Sequence, residues 1–76
     1  MNRNYDRDTQ FQIEFLTQQL IEMLMEERGL SMQEAMDRVY NSHTYEKVEH
    51  PVTGVYYQAP VYVMDMLEDE LENKDK

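Results

Sequence analysis

The sequence predicts a small, mainly α-helical domain carrying one short β-hairpin, an α+β arrangement. Apolar residues recur every three or four positions from Phe11 to Leu24 and again from Val63 to Leu71, the period of a helix that buries one face. Gly29 is followed closely by Ser31-Met32-Gln33-Glu34, which sets a helix stop directly against a helix start. The stretch HPVTGVYYQAP, from His50 to Pro60, holds both prolines and one of the two glycines beside a β-prone Val-Tyr-Tyr run. That combination reads as a turn feeding a strand.

Residues 1–8 are polar apart from Tyr5 and the initial Met, and are expected to be loose, ahead of a single domain over 9–72. The first helix begins near Thr9, with Asp8 or Thr9 as its N-cap. Phe11, Phe15, Leu16, Leu20, Met23 and Leu24 form its stripe, and Ile13, Ile21 and Met25 widen it, so the helix is expected to have neighbours on two sides. Gly29 supplies the left-handed residue that ends it. Ser31 and Glu34 form a capping box, with Leu30 and Ala35 placed as a hydrophobic staple. The second helix then runs to about Tyr40, with Met32, Ala35, Met36, Val39 and Tyr40 expected inside.

Ser42 is suited to cap a short third helix over residues 43–48, although Thr44 to Val48 also alternates enough for a strand. Pro51-Val52-Thr53-Gly54 reads as a turn, and Val55 to Gln58 as a strand with Val55 and Tyr57 on one face. Pro60 falls at the first position of a last helix, where its missing N–H costs nothing. Residues 68–76 are dominated by charge, and 73–76 are expected to fray outside the domain.

A chain of 76 residues has room for one modest core. With no cysteine to bridge, oligomerisation is the remaining staple, and a homodimer is expected. Sixteen Asp and Glu against seven Lys and Arg give a net charge of −9, which repels phosphate backbones unless the basic residues cluster. Arg3, Arg7, Arg28, Arg38, Lys47, Lys74 and Lys76 are scattered along the chain. The first ten residues lack the apolar stretch of a secretory signal, and no window is apolar enough to span a membrane, so a cytoplasmic protein without membrane association is expected.

His43 and His50, with Glu46 and Glu49, are the one grouping with metal-ligating chemistry, but their spacing matches no established zinc pattern and Pro51 interrupts a shared helix face. Ser31 and Ser42 are accounted for as caps, and two distant glycines build no phosphate loop. No catalytic residue, cofactor or metal is therefore expected, and the chain reads as a non-enzyme. Six internal methionines cannot all share one inner face, and methionine adapts to varied partners. The candidate interface is Phe11, Phe15, Met23, Met25, Met64, Met66, Tyr56 and Tyr57.

Gly29-Leu30-Ser31, Ala35, Val39-Tyr40, Ser42, Thr53-Gly54-Val55-Tyr56, Gln58 and Pro60 through Tyr62-Val63 resemble a family of small single-domain proteins of unknown function from anaerobic gut bacteria. The likeness covers a little over half the chain. Its layout is similar to that of small domains from toxin–antitoxin-like cassettes, which implies a protein-binding, neutralising role; no catalytic residues come across with the resemblance. Ala59 departs from the Ser expected before Pro60. The expected function is a non-catalytic interaction protein, an acidic neutralising partner of another protein. The alternative, a helix-turn-helix regulator, rests on the helix–Gly–helix junction.

Overall fold

The computed structural model describes residues 7–74. Four helices make up the fold: α1 (Arg7–Arg28), α2 (Met32–Tyr40), α3 (His43–Glu49) and α4 (Pro60–Lys74). Two short 3₁₀ turns, Pro51–Thr53 and Val55–Tyr57, join α3 to α4. At 1.5 Å per residue the 22 residues of α1 span roughly 33 Å, which accounts for the 36 Å long axis of the molecule. The other helices and the second 3₁₀ turn pack around α1.

Among the described residues there is no strand, so the expected hairpin is overturned and the domain is all-helical. Two local competitions explain the change. Thr44 to Val48 goes to α3 because the Ser42 hydroxyl accepts the Tyr45 N–H at 2.9 Å and supplies an N-cap. The Pro51 region then curls back instead of extending. The Thr53 hydroxyl donates to the carbonyls of Lys47 and His50, its N–H also bonds His50 O, and Thr53 Oγ1 accepts from Val55 N. Backbone groups that a hairpin would have paired across strands are satisfied within this turn. Gly54 keeps the left-handed conformation read from the sequence, at φ 74°, but it links two 3₁₀ turns.

The junction between α1 and α2 matches its sequence signals. Gly29 has φ 65°, Ser31 Oγ accepts Glu34 N at 3.1 Å, and Glu34 Oε1 accepts Ser31 N at 3.0 Å. The start of α1 differs, since the helix is already under way at Arg7 and places Asp8 and Thr9 inside its first turn. The expected loose segment 1–8 is thus helical at 7–8, and its remainder lies outside the described residues. At the other end α4 carries through to Lys74, past the fraying point expected from composition.

The core is Ile13, Leu16, Leu20, Ile21 and Leu24 of α1, Ala35 and Val39 of α2, Val48 of α3, and Val63, Met64 and Leu67 of α4. Three polar side chains are buried with it. Thr17 donates its hydroxyl to Ile13 O at 2.7 Å and Ser42 donates to Val39 O at 2.7 Å. Thr44 donates to Glu70 Oε1 at 2.8 Å. On α2 only Ala35 and Val39 turn inward; Met32, Met36 and Tyr40, expected inside, are exposed. Among the described residues no helix is long and apolar enough to cross a membrane.

Candidate functional site

Phe11 and Phe15 stand one turn apart on α1 and are 71% and 58% exposed. Their helical row continues into Gln18, Gln19 and Glu22, whereas Leu16, Leu20 and Leu24 form the row that faces the core. The two rings are therefore an apolar patch at the head of a polar face. Opposite them lies the second 3₁₀ turn, which packs against α1. Its rings Tyr56 and Tyr57 meet edge to face with centroids 5.1 Å apart.

Tyr57 lies close over Gly54. A Cβ at that glycine would lie 3.1 Å from the Tyr57 hydroxyl oxygen, and its φ of 74° strains any other residue. Tyr57 is 65% exposed, and Tyr56 is half-buried against the core. Between the 3₁₀ turn and α1 lies a groove of about 290 Å³, lined by Phe11, Gln12, Phe15, Leu16, Tyr56, Tyr57, Gln58 and Pro60. None of these side chains carries a charge at neutral pH, in a chain whose net charge is −9.

The candidate interface residues thus divide. Phe11, Phe15, Tyr56 and Tyr57 come together in this groove. Met64 lies in the core, Met23 and Met25 pack partly buried against it, and Met66 is half-buried beside α3. Gln12, Gln58 and Pro60 line the groove beside the four rings, and sequence reasoning did not single them out. The signal for Phe11 and Phe15 was present in the sequence as the row that turns polar after Phe15. Gln12 and Gln58 gave none, because polar residues that line a groove look like any solvated surface.

The contact between α3 and α4 is built differently. Glu70 of α4 reaches the start of α3, where its carboxylate accepts from His43 N at 2.7 Å, Thr44 N at 2.9 Å and the Thr44 hydroxyl. Burial pushes the Glu70 pKa up, but these three bonds outweigh it and hold the group below its ordinary value. Across α1 and α4, a hydrogen bond with Glu27 raises the Glu68 pKa, as do burial and the Glu27 charge, with Arg28 opposing. Of the histidine cluster, His43 Nδ1 lies 3.8 Å from Glu46, while His50 has left the helix as its C-cap. Among the described residues no three His, Asp or Glu are arranged to hold a metal ion.

No family model, curated protein or solved structure matches the chain.

Proposed function

We propose that this chain is a non-catalytic protein–protein interaction domain that pairs with a second copy of itself through the groove of Phe11, Phe15, Tyr56 and Tyr57. The observation that carries the reading is the uncharged, aromatic lining of that groove in a strongly acidic chain. Two copies of net charge −9 repel wherever carboxylates meet, and a neutral apolar face lets them approach with their charges held apart and screened. Aromatic side chains are the usual anchors of such contacts. A core of eleven apolar side chains is small, so burying three exposed rings adds stability that the monomer lacks. The groove is open along the surface, unlike the enclosed pockets that bury most of a small ligand.

The regulator reading gains no support from the placement of the cations among the described side chains. Arg7 and Arg28 stand at opposite ends of α1, roughly 30 Å apart. Arg28 sits beside Glu68, Arg38 beside Glu34, and Lys47 shares a shallow depression with Asp69 and Glu70. Cations dispersed among carboxylates make a poor phosphate-binding surface.

Sedimentation equilibrium of the wild type and of the Phe11→Gln/Phe15→Gln variant tests the proposal. The wild type is expected to sediment as a dimer at about 100 μM, and the variant as a monomer with unchanged helical circular dichroism. A monomeric wild type at that concentration, or a variant that stays dimeric, would overturn it.

A further inference from the structure

The six described methionines differ in how far solvent reaches them. Met64 is buried in the core at 3% exposure, and Met23, Met25 and Met66 are half-buried. Met32 and Met36 stand apart at 56% and 38%. They lie one turn apart on α2, beside the buried row of Ala35 and Val39. Exposure and thioether chemistry together make them the accessible sulfurs of the fold.

The main anchors of α2 are elsewhere. Its capping box uses only the backbone and side chains of Ser31 and Glu34. Its inward contacts are made by Ala35 and Val39, both fully buried. Oxygen added to the sulfur of Met32 or Met36 would be met by water, so the polar group carries no burial penalty. At Met64 the same oxygen would sit among apolar side chains with no partner, and Met23 and Met25 pack against that core as well.

We propose that Met32 and Met36 form an oxidation site for peroxides, converted to methionine sulfoxide ahead of the other described methionines and without loss of the fold. A sulfur lone pair attacks one oxygen of hydrogen peroxide, and an S–O bond forms as the O–O bond breaks. The leaving hydroxide takes the proton of the transferred oxygen and departs as water. Sulfur gives up two electrons and the peroxide is reduced by two. Each event turns an apolar side chain on the α2 surface polar, and sulfoxide reductases reverse it. The pair thereby consumes oxidant before it reaches Met23 and Met25, where a sulfoxide would disturb packing.

The test treats the full chain with hydrogen peroxide and follows each methionine by peptide mass mapping. Met32 and Met36 are expected to oxidise about tenfold or more faster than Met64, with helical circular dichroism unchanged once both have reacted. In concentrated urea the six are expected to react at similar rates, because the order comes from the fold. With peroxide limiting, Met32→Leu/Met36→Leu is expected to raise the sulfoxide yield at Met23 and Met25 about twofold or more. Leucine keeps the helix propensity and the size, so this variant retains the fold.

Oxidation of Met64 at the rate of the pair would overturn the proposal, as would loss of helical signal once the pair has reacted. The same order in urea would trace it to local sequence and overturn it too. Slow reaction of both Met32 and Met36 would mean that this face of α2 is covered in solution, with the same consequence. So would an unchanged yield at Met23 and Met25 in the leucine variant.

Discussion

Glu70 shows how much of the fold hangs on one side chain. Its carboxylate holds two backbone donors and one hydroxyl of a seven-residue helix that could not form alone. The positive end of that helix favours the negative charge, and the charge strengthens each bond. Glu70→Gln keeps the size but puts an amide N–H₂ against one of the donors it must satisfy. Urea unfolding is expected to show a loss of about 1.5–3 kcal/mol, the range for hydrogen bonds to a charged group. Thr17 makes the opposite point: although buried, it satisfies its hydroxyl within its own helix at Ile13 O, so it asks nothing of neighbouring helices.

At the scale of elements, the start of α4 is the place where a single change should help. The Ala59 carbonyl accepts the first helical bonds, from Tyr62 N and Val63 N, but its side chain offers no cap. The residue before a proline favours the extended conformation that an N-cap needs. Ala59→Ser is therefore expected to raise the unfolding free energy by about 0.5–1 kcal/mol, measured as a higher urea midpoint at unchanged m-value.

Elements announced by local chemistry were legible in the sequence: the capping box at Ser31, the cap at Ser42, the left-handed Gly29 and Gly54, and Pro60 at a helix start. The hairpin was misread because β-propensity at Val55-Tyr56-Tyr57 reports a fit to a half-buried surface. Here that surface is α1, reached by a 3₁₀ turn. Nothing in the sequence showed that Thr53 would bond back to Lys47 and His50. The inner face of α2 was overestimated for a related reason: helical spacing places Met32, Met36 and Tyr40 on one row but not on the buried side of it. The four-ring groove needed the tertiary contact between residues 11–15 and 56–57, which no local pattern encodes.

For the molecule as a whole, the carboxylates give stability a peak on the acid side of neutral. Glu68 has a raised pKa in the folded state. Its proton is therefore bound more tightly by the folded chain, and stability rises as pH falls toward the ordinary Glu value of 4.5. Partial neutralisation of the net charge of −9 acts in the same direction. Glu70 and Glu34 have lowered pKa values, Glu34 through its bonds with Ser31. Their contributions are complete above the unfolded value and are lost as pH falls through the lower folded ones. Thermal melts at fixed protein concentration should therefore give a maximum near pH 5 and a fall below about pH 4. Glu68→Gln should flatten the rise between pH 7 and 5 while leaving the acid limb in place. A monotonic decline from pH 7 downward would contradict the assignment.

The reach of Glu70 also sets how the molecule opens. The amide hydrogens of His43 and Thr44 are held by a residue 27 and 26 positions further along the chain. The first amide hydrogens of a helix ordinarily have no partner, so these two are expected to exchange more slowly than is usual at a helix start, and faster once Glu70 is replaced by Gln. Any motion that parts the third helix from the fourth exposes them to solvent.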